Sequence, residues 1–367
     1  MAQFVDFQYN AVARALEYHS MRITFITTSF HPNKGGVEKH VLSISRELIA
    51  RGHAVTVLAP RTSGAADQET YDGIDIARFT ATPFFIAWFS LWKYRNLIRG
   101  SDVVHLHDFP TYVWAWPSLA LLRKKFFITF HGWEGRVPPR PLFVRLRKMI
   151  ERRCAGSIAV GDYIVKWYGQ HPTVISYGGV PRGSIVPQRT SKPDDRLELL
   201  YFGRLAPDTG ALDVLEFFSR MLAVYPHAHC TILGDGSLKP TIERSIADKK
   251  LDIELHGWVD NARDYLERSD VVVCTGYLGI LETMAAGAIV CSLYDNDLKR
   301  DYIMLSPFSK LTVHADTPEK LAEKLHALHA DATAEIALRT AAHAFILDHT
   351  WDRVVTSYER LWQGNPR

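Results

Sequence analysis

Residues 271–290, VVVCTGYLGILETMAAGAIV, constrain this chain most. They read as an apolar strand, a short loop carrying glycine, and a helix that opens at Glu282. A helix that starts directly after a buried strand turns unpaired N–H groups and the positive end of its dipole toward the loop, so a phosphate is the natural guest. A carboxylate at such a helix start does not suit the phosphate, but it suits the hydroxyls of a ribose. The segment therefore predicts a site for a nucleotide diphosphate on a strand–loop–helix unit.

The same unit recurs along the chain. Residues 23–28 are an apolar strand, followed by SFHPNKGG and a helix over 37–50 with Val37, Val41, Ile44, Leu48 and Ile49 on one stripe. RGHAVTVLAP supplies a turn and a second strand, and 103–106, 126–129 and 157–160 are further short apolar strands. Gly35 and Gly36 fall where one strand gives way to a helix, and glycine there lets the backbone approach a phosphate or sugar. The pattern restarts after residue 196: a strand at 197–202 leads into GRLAPDTG, a helix covers 211–224, and a strand at 228–233 ends in GDGS. Strands at 253–256 and 271–274 follow. Alternation of this kind predicts an α/β fold of two doubly wound, Rossmann-like parallel sheets, with ligands outside the carboxyl ends of the strands.

With 367 residues there is room for two cores. The expected organisation is an extension over 1–20, a first domain over 21–182, a linker rich in Pro, Ser and charge over 183–196, a second domain over 197–348, and a terminal helix over 349–367. The strand ends of the two domains are expected to face a shared cleft.

Composition excludes several classes. Hydrophobic content of 47% and charged content of 23% are those of a globular protein. No apolar run reaches the roughly 20 residues of a spanning helix. Residues 1–20 carry Asp6 and Glu17 without an apolar centre, unlike a secretory signal. Cys154, Cys230, Cys274 and Cys291 lack metal-site spacing and read as buried thiols of a cytoplasmic protein. Net charge is +3 but uneven: residues 1–190 hold 24 Lys+Arg against 13 Asp+Glu, and the remainder 19 against 27. A basic first half fits an anionic acceptor, a nucleic acid or a membrane surface, or simply attraction between unlike halves.

Six ordered motifs narrow this further: SFHPNKGGVEKHV, HGWEG at 131–135, ISYGGV at 175–180, FGRLAPDTG at 202–210, ILGDGS at 232–237 and GILETMAAG at 279–287. Together they resemble the motif series of the retaining GT-B glycosyltransferases of family 4. HTWDRVVTSYERLW, 349–362, is similar to the helix that crosses back to the first domain in that family. The resemblance implies transfer of a hexose-type sugar from a nucleotide diphosphate sugar to a glycan or lipid-linked acceptor, with no metal and no nucleic acid.

It also implies roles. Gly35 and Gly36 would border donor and acceptor, and His131 would lie near the transferred sugar. Arg204 would neutralise the leaving diphosphate, with Gly203 and Gly234 in the donor loops. The backbone of Gly279, Ile280 and Leu281 would cradle the diphosphate, and Glu282 would hold the ribose. Catalytic positions are thus His131, Arg204 and Glu282, with electrostatic stabilisation of the leaving group as the main term. Two positions depart from the family. Thr209 stands where a second cation is usual, and Cys274, or Thr275 if one residue is deleted, where a second glutamate is usual. Lys299 or Arg300, in YDNDLKRDY, is the expected replacement for the missing positive charge. Loss of both groups leaves a catalytically degenerate nucleotide-sugar-binding protein as the alternative, and a GT-B nucleotide-sugar epimerase as a third reading.

Other groups read as structural: His105 and His107 as bonded to backbone, Asp235 as a turn former, and Asp295 and Asp297 as a solvated turn. Two stretches bear on location. Residues 138–154, PPRPLFVRLRKMIERRC, combine Arg140, Arg145, Arg147, Lys148, Arg152 and Arg153 with an apolar stripe. They read either as a helix on an anionic leaflet or as an ordinary surface helix. Residues 83–99 are aromatic and basic, and read as an acceptor groove, an interfacial patch or core. The expectation is a cytoplasmic protein peripheral to the inner face of the membrane.

Overall fold

The computed structural model describes residues 20–188 and 196–365. Residues 1–19 of the expected extension and 189–195 of the expected linker lie outside the described residues, as do 366–367. The chain divides into two compact units between Thr129 and Phe130.

In the first unit β1 (Arg22–Ile26), β2 (Ala54–Pro60), β3 (Gln68–Tyr71), β4 (Ile74–Phe79), β5 (Val103–His107) and β6 (Phe127–Phe130) run in the order β3-β4-β2-β1-β5-β6. The pairings are parallel except β3 with β4. Ile23, Thr24, Phe25 and Ile26 in β1, and Val103, Val104, His105, Leu106 and His107 in β5, are buried at consecutive positions, as expected of strands covered on both faces. Around them lie α1 (Gly36–Ala50), α2 (Phe84–Trp92), α3 (Arg95–Gly100) and α4 (Phe109–Leu121). Helix α1 buries Val41, Ile44 and Leu48, three of the five stripe residues, each worth about 1.5–3 kcal/mol. The chain runs from β1 to β2 and later returns to β5 on the other side of β1, so the loop after β1 opens at a switch in strand order.

The second unit begins with α5 (Pro141–Glu151), β7 (Gly156–Val160), α6 (Asp162–Tyr168) and β8 (Val174–Ser176), with β7 and β8 parallel. Its main sheet contains β9 (Glu198–Phe202), β10 (His229–Leu233), β11 (Ile253–His256), β12 (Val271–Val273), β13 (Ile289–Leu293) and β14 (Thr312–Ala315). The order is β11-β10-β9-β12-β13-β14, parallel throughout. The intervening helices are α7 (Ala211–Val224), α8 (Lys239–Lys249), α9 (Ala262–Arg268), α10 (Tyr277–Ala285), α11 (Asp297–Met304), α12 (Pro318–Ala330) and α13 (Ala332–Ile346). Residues alternate along β9: Leu199 and Tyr201 join Phe217, Phe218 and Met221 in one cluster, while Leu200 joins Leu233 and Val272 in another.

The boundary that bears most on the site is a helix start. Helix α10 begins at Tyr277, so Glu282 lies in its second turn and does not open it.

The last helix, α14 (Trp351–Trp362), buries Trp351, Val354, Val355, Tyr358 and Leu361. Its start returns to the segment after β8: Val180 donates to the His349 carbonyl at 3.0 Å, and Trp351 donates to the Val180 carbonyl at 3.1 Å. The approach requires glycine at the neighbouring position. A Cβ on Gly179 would stand 2.8 Å from the Thr350 carbonyl carbon. Among the described residues, no helix is long and apolar enough to cross a membrane.

Candidate active site

The second unit places its loops by a reversal of strand order. From β9 the chain moves outward to β10 and β11, then comes back to β12 on the opposite side of β9. A crevice forms where such neighbours part. Phe202 pairs with Leu233, and Tyr201 with Val273, so the three strands end at nearly one level, and Gly203, Gly234 and Cys274 follow directly. The β9 and β10 loops touch backbone to backbone. Gly203 donates to Leu233 at 3.0 Å, and a Cβ on Gly234 would fall 1.9 Å from the Gly203 carbonyl oxygen. Gly234 is therefore demanded by packing. Asp235 accepts from the Gly236 N–H at 2.7 Å, as a turn former does.

Helix α10 starts against these strand ends. A Cβ on Gly279 would approach Phe202 Cζ to 3.2 Å and Cys274 Cβ to 3.3 Å, so glycine lets the first turn sit directly over β9 and β12. The Ile280 N–H is committed to the Gly276 carbonyl at 3.0 Å. Ile280, Leu281 and Glu282 thus belong to the helix proper. The first-turn N–H groups without an intrahelical acceptor are those of Tyr277, Leu278 and Gly279. That of Tyr277 bonds to the Tyr302 phenol oxygen at 2.8 Å. Glu282 is half-buried one turn further on.

The charges follow a different plan from the expected one. Arg204 is exposed and pairs with Asp208 at 2.6 Å. Thr209 Oγ1 lies 2.7 Å from the carbonyl oxygens of both Arg204 and Ala206, so the hydroxyl in place of a second cation pins the arginine's loop. Lys299 and Arg300 are ion-paired locally, as Arg204 is. Lys299 pairs with Asp295 at 2.8 Å and Arg300 with Asp297 at 2.9 Å, each within its own turn. Acidic residues three or four positions away are the natural partners of helix cations. Cys274 is 2% exposed, and burial pushes its thiol up to about 12, so it offers no negative charge.

His131 follows β6, and an inward arginine fixes its loop. Arg147 on α5 is buried, donates to the Gly132 carbonyl, and pairs with Glu134 at 2.8 Å. Glu134 also accepts from the Tyr168 hydroxyl at 2.6 Å, and the guanidinium lies 4.1 Å from the Tyr168 ring centre. Burial, and after it the Arg147 charge, push the His131 imidazole down to about 3. The ring is neutral at neutral pH. Arg147 is thus not one of the outward cations expected on this helix, although Arg145, Arg152 and Arg153 are exposed.

An aromatic cluster joins the His131 loop to α10. The Tyr163 hydroxyl donates to the His131 carbonyl at 3.2 Å, and its ring packs 5.0 Å from Tyr302. Trp133 lies 5.9 Å from both Tyr163 and Tyr302, and Tyr302 stacks on Tyr277 at 3.8 Å. His131 and the start of α10 are thereby brought together. None of the three tyrosines was expected as a site residue. The available signal was Tyr302 ending YDNDLKRDY, the segment that departs from the family.

In the first unit Gly35 caps α1 and both Gly35 and Gly36 are exposed. A Cβ on Gly36 would meet nothing within 4 Å, so packing does not demand glycine there. The preceding loop is held by Arg78, which is buried and donates to the His31 carbonyl at 2.6 Å and the Ala66 carbonyl at 2.9 Å. His105 Nε2 meets Thr129 Oγ1 at 2.8 Å inside the sheet, a side-chain partner where a backbone one was expected, and His107 is buried beside it. Cys230, Cys274 and Cys291 are buried, whereas Cys154 is only partly so. Among the described residues, no three His, Cys, Asp or Glu side chains are grouped to hold a metal ion.

Comparison with known proteins agrees with this architecture. Residues 34–180 match Glycosyltransferase Family 4, and residues 196–331 match Glycosyl transferases group 1. A phosphatidyl-myo-inositol mannosyltransferase of Mycolicibacterium smegmatis is 27% identical over 307 residues, covering 75% of this chain and 77% of the relative. A GDP-mannose:cellobiosyl-diphosphopolyprenol alpha-mannosyltransferase of Xanthomonas campestris is 25% identical over 389 residues, covering 92% and 95%. Among solved structures, a glycosyltransferase from Rickettsia africae superposes with a TM-score of 0.74 at 15% identity, over 95% of this chain and 99% of its own. Anabaena Alr3699/HepE in complex with UDP and glucose gives 0.72 at 14%, over 94% and 100%.

Proposed function

The chain belongs to the family 4 glycosyltransferases of GT-B fold, and from that premise we propose that it moves a hexose from a nucleotide diphosphate sugar to a glycan or lipid-linked acceptor, with retention of anomeric configuration. The observation that carries the reading is the crevice at the ends of β9, β10 and β12, where Arg204 and the first turn of α10 stand beside each other's strands. An anionic leaving group departing there meets a guanidinium and helix-start N–H donors, which stabilise charge as it develops. No metal is needed in this scheme. Glu282 takes the ribose, and neutral His131 serves as a hydrogen-bonding group at the sugar without adding charge. The acceptor attacks the face the diphosphate leaves, through an oxocarbenium-like state.

The mannosyltransferase relatives support a lipid-linked acceptor by their names, and GDP-mannose is the first donor to try. The surface supports work at an anionic leaflet. Helix α2 exposes Phe84, Phe85 and Phe89, the last by 73%, while Ala87 and Leu91 on its other side are buried. Residues 76–101 contain no Asp or Glu, and Lys93 and Arg99 are exposed close by. Apolar rings flanked by cations suit an interfacial bilayer contact.

The degenerate-binder reading draws on Thr209 and Cys274, neither of which replaces the charge it displaces. Turnover decides between the two. A melting-temperature screen with UDP-, GDP- and ADP-sugars identifies the donor, since only a bound one raises the midpoint, and transfer by wild type but not Arg204→Ala marks an enzyme.

A further inference from the structure

We propose that the pocket lined by Glu134, Arg136, Arg140 and Phe143 binds a phosphate or diphosphate group of the acceptor. The inference rests on the reading above that the His131 loop faces the transferred sugar. The pocket has a volume of about 310 Å³, room for a diphosphate-sized group. Its single carboxylate is already engaged: Glu134 is held by Arg147 at 2.8 Å and by the Tyr168 hydroxyl at 2.6 Å. Arg136 and Arg140 are exposed, and neither has a carboxylate partner among the described residues. The pocket is therefore positive where it opens, through Arg136 and Arg140.

Its shape is fixed in advance. Residues 137–141 read VPPRP, and three prolines restrict the backbone that carries Arg140. The Arg140 guanidinium lies 5.9 Å from the Phe143 ring centre, which limits its wandering. Planar guanidinium forks match phosphate oxygens two at a time, and a fork held in place loses less freedom on binding. The pocket also shares the 131–135 loop with His131, because Glu134 and the Gly132 carbonyl are bound by the same arginine. A phosphate seated there would hold the acceptor against the loop that carries His131. The acceptor is thus a phosphorylated molecule, with its phosphate close to the reacting hydroxyl.

The test titrates inorganic pyrophosphate into the full chain by calorimetry, reading this pocket and the donor site together. Arg136→Gln with Arg140→Gln should weaken one binding event at least tenfold at an unchanged melting temperature. Arg136→Lys with Arg140→Lys should recover part of it. Arg204→Ala should affect only the other event. An unchanged titration in the glutamine pair overturns the pocket and leaves the donor reading intact. An unchanged titration in Arg204→Ala, with loss in the glutamine pair, supports the pocket and counts against the donor reading. A second arm uses phosphatidylcholine vesicles with and without phosphatidic acid, in a Phe85→Ser, Phe89→Ser background that removes α2. If the glutamine pair then loses phosphatidic-acid-dependent binding, the phosphate is a lipid's. If it loses only pyrophosphate, the phosphate belongs to a soluble acceptor.

Discussion

The phenol oxygen of Tyr302 accepts the backbone N–H of Tyr277 at 2.8 Å, and the two rings stack 3.8 Å apart. A side chain of α11 thus occupies one of the donors at the start of α10, where the leaving diphosphate is proposed to lie. Tyr302→Phe keeps the stack and removes the acceptor. The unliganded protein should lose about 1 kcal/mol of stability. The freed N–H can then meet a diphosphate, so the rise in melting temperature on adding donor should exceed that of wild type. Calorimetric melting with and without donor checks both signs.

Arg147 ties Glu134, the Gly132 carbonyl and the Tyr168 ring into one unit below His131. Arg147→Met should cost about 3 kcal/mol, because it strands the Glu134 carboxylate in a largely buried position. Arg147→Lys retains the charge without the planar fork and should cost less. Denaturant unfolding of both variants orders them.

His131 gives a pH dependence with a definite sign. Its folded-state value of about 3 lies below the usual 6.5, so between these two values the unfolded chain binds more protons at this site than the folded one. The contribution is fully present above about 6.5 and is lost as pH falls toward 3. His131→Asn should therefore have a flatter acid limb than wild type in unfolding experiments from pH 7 to pH 4. Parallel limbs would mean that the ring is not held neutral.

The exposed rings of α2 predict vesicle binding. Replacing Phe85 and Phe89 by Ser should weaken flotation with phosphatidylglycerol vesicles about tenfold for each ring, since a buried phenylalanine is worth about 1.5–3 kcal/mol. Raised salt should weaken the wild type further through Lys93 and Arg99. Equal flotation of wild type and variant would remove α2 from the interface.

The alternation of apolar strands with amphipathic helices made both sheets legible, because period and burial are written locally in residues such as Val41, Ile44 and Leu48. Glycine motifs were legible for the same reason at Gly203 and Gly234, where two backbones meet. The start of α10 was not. Gly276 caps it without a side-chain hydrogen bond, and its first turn has no acidic residue, so Glu282 is the first carboxylate that the sequence offers there. Arg147 was misplaced because an amphipathic pattern cannot distinguish an arginine that turns inward to meet a carboxylate thirteen residues earlier. Tyr163, Tyr277 and Tyr302 were invisible for a plainer reason: their contacts span segments far apart in sequence.

In the proposed reaction Arg204 is the cation that receives the leaving diphosphate. The most direct measurement is steady-state turnover of the donor identified by the melting screen, in wild type and Arg204→Ala. Wild type should transfer or hydrolyse the sugar, and the variant should lose about a hundredfold in kcat, or about 3 kcal/mol of barrier, while keeping its fold. Equal turnover in the two proteins, or none in wild type with any UDP-, GDP- or ADP-sugar, would contradict it.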